Sequence, residues 1–346
     1  MRPPVPLSLV LTSVCLLTLP VYAQIGTQNR AQTAPGSSPL LVVVNQGDKD
    51  ISLVDTATEQ SIATIPEGVT VMHGHEAAAS PDGRIAYVPI YGNVGVGHPG
   101  LNGHEMLVID LPSRKIIGHV DFGHGVRPHC VVYNKNDGLL YVTTELDQDV
   151  TLVDPRTLKI VGTIPTGQQQ SHMLAISPDG TRGYTANVGP GTVSVLDIKA
   201  RKTLAVIPIS GETQRISVSN DGSMAFTSDQ DQPRLAVIDT TTNKVKAWVP
   251  LPGTGYGTAS TKDGRSLLVA IPSRNLVAVV DLATLNVVNT ILVPSAPQEI
   301  LVRPDGKVAY VSCNVKHQVA VIDLSDWKVQ KLINAGAGAD GLAWAQ

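Results

Sequence analysis

Charge is scarce in this 346-residue chain: Asp, Glu, Lys and Arg together make up only 16% of it. The 26 basic and 29 acidic residues nearly cancel, leaving a formal −3. That removes the usual basis for nucleic-acid binding, a basic patch that neutralises phosphate. Aromatics are as rare, with 2 Phe, 8 Tyr and 3 Trp, so a core has to be built from Val, Ile, Leu and Ala. Three cysteines are too few for a disulfide-stapled scaffold. Beyond the N-terminal segment no apolar run is long enough to form a membrane-spanning helix. The chain is nevertheless 42% hydrophobic, which excludes a disordered polymer, and its 31 Gly and 24 Pro mark many turns.

The first 23 residues read as an export signal. Arg2 supplies a positive start, Leu7 to Leu19 are mostly apolar, and Val21-Tyr22-Ala23 ends in a small residue suited to cleavage. Val14 before Cys15 argues against a lipoprotein site. Residues 24–39 are polar, with Gly, Pro and Ser, and read as a flexible linker. The expected location is periplasmic or secreted.

Length alone points to about two domains at ~150 residues each, but the remainder is one repeated unit. A hydrophobic run ending in Asp recurs at Asp55, Asp110, Asp154, Asp197, Asp239, Asp281 and Asp323. A turn ending in Asp-Gly recurs at 80–83, 135–138, 177–180, 219–222, 261–264 and 303–306. Each unit holds four short β-branched runs, a to d. In one unit these are HMLAIS, RGYTAN, TVSVLD and TLAVI, between turn formers. Four-strand units of about 40–45 residues define a β-propeller. The first unit begins at Leu40 with run b, and the chain ends on an orphan run a, 341–345. The expected fold is therefore all-β: a seven-bladed propeller over 40–346, closed by N- and C-terminal strands in one blade. The repeated Asp residues are structural, because they recur in every blade and a site does not.

The runs YVTTELDQDVTLVD (141–154) with VGTIPTG (161–167), and YTANVGPGTVSVLD (184–197), resemble the YVTN-type β-propeller repeat. The resemblance covers nearly all of 40–346 and implies an exported propeller, distantly lactonase-like, whose relatives include surface-layer components. It implies no catalytic residue.

Nine histidines fall unevenly on this frame. His73 and His124 lie in d-to-a connections, His75, His129 and His172 open a runs, and His98, His104 and His317 lie in b-to-c connections. All of these connections meet at one face, and only His119, in a d run, lies elsewhere. The residues opening the seven a runs are His75, His129, His172, Gln214, Tyr256, Gln298 and Asp340, a ring expected at the channel mouth. The next residues are Glu76, Cys130, Met173, Arg215, Gly257, Glu299 and Gly341, and Arg127 stands two before His129. The second unit carries about 12 extra residues in its b-to-c connection, 89–105, which holds His98 and His104. Loops this long are more often functional than not.

Three imidazoles with a carboxylate suit a divalent transition metal, Zn, Cu, Fe or Ni. The expected metal ligands are His75, His129 and His172, with His73, His98 and His104 nearby. Arg127, Gln214, Arg215, Tyr256, Gln298 and Asp340 are expected to bind the ligand, the arginines through a carboxylate or phosphate. A strand-end histidine also serves simply to bond a backbone carbonyl. Cys130 reads as a buried thiol, with no disulfide to Cys313 three or four blades away. The leading function is a binding or scaffold protein, monomeric, taking a small molecule or protein at the mouth. The alternative is a metal-assisted hydrolase or lyase with Glu76 or Tyr256 as base, and a third reading is a surface protein without hub chemistry.

Overall fold

The β-branched runs become strands because each carries apolar residues on both faces. In Leu40–Asn45 five consecutive residues are buried and in Asp50–Asp55 four, as expected where a sheet is covered on two sides. The last strand of each unit alternates instead: in Lys202–Pro208 every second residue is exposed, which marks the outer rim. In the computed structural model, residues 38–346 are described, together with residues 1, 3 and 4. The signal and most of the linker fall outside the described residues.

The strands form seven antiparallel sheets in the order a, b, c, d. Blade 1 begins with strand b, Leu40–Asn45, then Asp50–Asp55 and Gln60–Pro66, and takes its inner strand from Ala339–Ala345. The closure has a defined register, with Leu40 opposite Ala345, Val42 opposite Ala343 and Asn45 opposite Ala339. Blades 2 to 7 follow in chain order. Val, Ile and Leu of the b and c strands interleave between blades, as in the layer formed by Val42, Leu53, Val88 and Leu107.

The repeated Asp residues act locally. Asp55 accepts the backbone N–H groups of Ala57 and Thr58 at 2.9 Å each, and Asp281 those of Ala283 and Thr284 at 3.1 and 2.7 Å. Four residues after each Asp the backbone turns left-handed, at Glu59, Arg114, Leu158, Arg201, Asn243, Leu285 and Trp327. The Asp-Gly turns use glycine for the same purpose, with φ of 66° at Gly83 and 74° at Gly306.

Two departures from the repeat concern blade 2. Its inner strand is broken into His73–Gly74 and Ala78–Ala79, and His75 lies in the gap. About half of its long b-to-c connection, 89–105, is strand: Ile85–Gly92 pairs with Asn102–Asp110, so the loop itself is 93–101. Strand extension occurs here because Gly92 and Gly103 permit close approach; a Cβ on Gly103 would sit 1.7 Å from the Ile90 carbonyl oxygen.

Removing residues 335–346 is expected to abolish the cooperative melt, because blade 1 loses its inner strand and its neighbours their cover. Unchanged melting on calorimetry contradicts the closure. A second test uses Glu67, buried before blade 2 and accepting the Gly74 N–H at 3.1 Å. Burial pushes its carboxyl up to about 7. The folded state therefore holds this proton more tightly than the unfolded chain, near 4.3. Stability is full below that value and falls by about 3 kcal/mol as pH rises through 7. Glu67→Gln should raise the melting temperature by a few degrees at pH 8 and leave it unchanged near pH 4.5.

Candidate functional site

The innermost strands bring three of the ring histidines together. The His75 and His129 rings are 5.0 Å apart, and His129 and His172 stack at 3.6 Å, tilted by 30°. His73 extends the row at 4.8 Å from His75. Tyr91, fully buried at the end of the blade 2 b strand, stands edge-on to all three, at 5.2, 5.2 and 5.8 Å.

Carboxylates back two of these rings. His75 Nδ1 lies 3.3 Å from Asp340 Oδ2 and 2.8 Å from the Gln46 amide nitrogen, which also donates to Asp340. His172 Nδ1 lies 3.5 Å from Glu145 Oε2. That same oxygen accepts the Tyr91 hydroxyl at 2.6 Å, and Arg127 Nη1 approaches the other oxygen at 3.7 Å. One layer down, Arg215 donates to Glu76 at 2.5 Å and to Asp340 at 3.0 Å, with its guanidinium 4.8 Å from the Tyr256 ring centre.

The environment fixes the charge of each group. Burial lowers His129 well below the usual histidine range, and the neighbouring imidazoles add to this. Burial also lowers His172, against the pull of Glu145, and takes His73 down to about 4. These rings are neutral at pH 7. Burial pushes Glu145 and Asp340 upward, but their partners outweigh it and both end below the ordinary carboxylate range. Glu76 is raised, first by burial, and Glu299 is pushed up to about 7 for the same reason.

Three ring nitrogens in this row are buried without a hydrogen-bond partner among the described residues, His73 Nδ1, His75 Nε2 and His129 Nδ1, and His172 Nδ1 has only Glu145 at 3.5 Å. As the rings stand, no three of the described His, Cys, Asp or Glu side chains are placed to hold one metal ion.

Above the row a cavity of 500 Å³ opens at the mouth, lined by Gln46, His75, His172, Gln214, Tyr256, Gln298 and Asp340 among others. The 93–101 loop reaches over it with Gly95, Val96 and His98. A second cavity, of 620 Å³, lies between this loop and Arg127, Glu145, Gln148 and Gln170, and shares His98 and Gln170 with the first. Arg127 ties the loop down, donating to the His98 carbonyl and to Asn102 Oδ1 at 2.7 Å each.

Not every expected residue reaches the site. His104 lies on an exposed strand and pairs with Asp121 at 3.3 Å. His124 pairs with Asp147 at 2.9 Å and His119 with Glu105 at 3.0 Å, all at the surface. Both arginines are committed to internal carboxylates, and Arg215 does not line the mouth cavity. The Cys130 thiol is buried, held above its usual range by burial and 3.5 Å from the Leu174 carbonyl. Cys130 and Cys313 are both free. Sequence reasoning missed Gln46, Tyr91 and Glu145. All three stand at the position equivalent to the residue after strand b, where later blades have Val188, Gln230, Pro272 and Asn314. That second ring, aligned as the first was, is the signal that would have found them.

Residues 253–345 match the family model described as YNCE-like beta-propeller, and residues 36–178 match that of the cytochrome D1 heme domain. His75, His129 and His172 all lie in the second segment. No curated protein matches the sequence. Among solved structures, a functionally unknown protein from Desulfotomaculum acetoxidans is similar with a TM-score of 0.74 and 18% identity, over 89% of this chain and 99% of that one. The dihydro-heme d1 dehydrogenase NirN, in complex with DHE, gives 0.65 and 19% over 91% and 77%. Hydrazine synthase of Kuenenia stuttgartiensis gives 0.64 and 18% over 80% and 92%. Identities this low speak to the fold alone, and at that level the chain is a seven-bladed β-propeller similar in fold to these structures.

Proposed function

We propose that this chain is an exported, periplasmic or secreted, binding propeller that holds a divalent transition metal on His75, His129 and His172. The observation that carries the reading is the row of imidazoles on the inner strands with buried ring nitrogens, two of the rings, His75 and His172, facing carboxylates at Nδ1. A carboxylate behind a ligating histidine fixes the ring and its tautomer, leaving Nε2 to coordinate. His75 Nε2, buried without a partner among the described residues, is the nitrogen of that ring left to coordinate. Copper, zinc, nickel and iron all accept imidazole, and a bound ion would supply a Lewis-acidic centre facing the cavity.

A tetrapyrrole is the second reading, favoured by the match of residues 36–178 to a heme-domain model. The imidazoles suit its iron. The lining does not suit its carboxylates: no Lys or Arg lines the mouth cavity, while Glu212 and Asp340 do. The absence of basic residues from the lining favours a metal without the tetrapyrrole. Binding is also favoured over hydrolysis or lyase chemistry. Glu76 is spent on Arg215, and the Tyr256 hydroxyl donates to Gln214 at 2.9 Å, so neither sequence candidate is a free base.

Metal analysis of protein purified without an affinity tag should find close to one transition-metal ion per chain. His75→Ala, His129→Ala and His172→Ala should each cost tenfold or more in affinity with the fold intact, and His119→Ala should bind as the wild type does. Glu145→Gln, which keeps the side-chain shape, should lose about tenfold, as expected for a group behind a ligand. Loss on His119→Ala equal to that on His129→Ala would show that the surface, not the hub, takes the metal.

The loop gives an independent test. Replacing residues 94–100 with a short Asn-Gly turn should change the melting temperature by only a few degrees, since loop length carries little entropic cost. Binding at the mouth should weaken. Equal affinity with and without the loop assigns it no part in binding.

A further inference from the structure

Each blade ends in an outer strand d with no partner on its far side, and an unpaired strand edge is a template for another chain. A bulge is common to all seven outer strands. Six of them carry a further device against pairing. Five begin with lysine, at Lys115, Lys159, Lys202, Lys244 and Lys328. The sixth, Gln60–Pro66, ends in proline, which has no N–H to donate. Asn286–Leu292, the outer strand of blade 6, has neither lysine nor proline, and none of its side chains is charged.

The same strand holds the most exposed apolar side chains of the propeller. Leu292 is 78% exposed and Val288 61%, the two highest values for a large apolar residue in 38–346. Thr290, between them, is exposed as well. Elsewhere the rim is tied across blades, as where Arg201 Nη1 donates to the Val161 carbonyl at 3.2 Å. The side-chain hydrogen bonds of Asn286–Leu292 among the described residues are local. Asn286 donates to the Thr284 carbonyl at 3.1 Å, and the Thr290 N–H donates to Asn289 Oδ1 at 2.8 Å.

We propose that the outer edge of blade 6 is where two copies of this chain pair, Asn286–Leu292 against the identical strand. Twofold symmetry makes this pairing antiparallel. Centred on Thr290, it sets Val288 of each copy opposite Leu292 of the other, so each chain covers the other's two most exposed apolar residues. Thr290 then faces its own equivalent, and both apolar and Thr–Thr pairs favour neighbouring strands. Neither strand brings a charge that the pairing would desolvate. Only one of the seven edges is open, so assembly closes at two copies. Pairing along seven residues is a small interface, below the ~1,200 Å² of stable complexes. The monomer expected from the sequence therefore holds at low concentration and the dimer forms at high concentration.

The test is sedimentation velocity over a concentration series up to about 1 mM, where weak complexes form. The expected result is a reversible monomer-to-dimer transition with no larger species. Asn286→Lys combined with Leu292→Pro gives blade 6 the devices of its neighbours. Other blades already hold these residues at the same positions, as in Lys202–Pro208, so the fold should persist with a melting temperature within a few degrees of wild type. This double variant should weaken the dimer tenfold or more, and so should Thr290→Lys. Val206→Lys, at the equivalent of Thr290 in blade 4, should dimerise as wild type does. A monomer at every concentration, the result expected if the edge takes a strand of another protein instead, overturns the proposal. So does a dimer that survives both blade 6 variants, or one that Val206→Lys abolishes as readily. Species larger than a dimer overturn the closure at two copies and the single open edge with it.

Discussion

The pairing of Leu40–Asn45 with Ala339–Ala345 is the constraint on which both fold and site depend. It joins strands about 300 residues apart and leaves the ring without a free edge. The same pairing brings Gln46, just past the end of one strand, and Asp340, at the start of the other, against His75. Gly341 then donates its N–H to the His75 carbonyl at 2.8 Å, where a Cβ would lie 2.3 Å from that oxygen. Ring closure and the orientation of the first histidine are therefore one event.

The hub is asymmetric although its frame is not. Seven equivalent positions on the inner strands carry imidazoles on three consecutive blades and amides, a phenol and a carboxylate on the rest. Beneath them Arg215 gathers Glu76 and Asp340, and Glu145 gathers Tyr91 and Arg127. Most of these buried charges are matched inside the channel, and of them only Asp340 also lines the mouth cavity. The consequence is a row of imidazoles held between fixed carboxylates, below a cavity whose lining carries no Lys or Arg. The 93–101 loop is part of the same arrangement. Arg127 links it through Glu145 to His172, so the roof and the floor of the cavity share one chain of polar contacts.

Much of this was legible in the sequence, and the reasons are physical. Spacing between hydrophobic runs ending in Asp gave the blade count, and the orphan run at 341–345 gave the closure. Aligned a runs gave the histidine ring, because a position at the channel mouth is reached at the same offset in every repeat. What stayed hidden was backbone behaviour that residue type does not announce. The left-handed residue of each c-to-d turn is Glu59, Leu158 or Trp327 as readily as Asn243, so no glycine flags it. The break at His75 and the strand extension to Gly92 both follow from close backbone packing within blade 2, which composition does not encode. Arg127 and Arg215 looked available to an anionic ligand, because their buried partners Glu145 and Glu76 come from other repeats or from a second ring that was not aligned.

X-ray absorption at the metal edge, on tag-free protein loaded with one equivalent of copper(II) or zinc(II), tests the central claim most directly. Imidazole rings scatter with a recognisable outer-shell pattern, so the spectrum counts the histidines on the ion. The account requires two to three imidazoles in wild type and one fewer in His172→Ala. A shell of oxygen alone, or an imidazole count unaltered by His172→Ala, contradicts it.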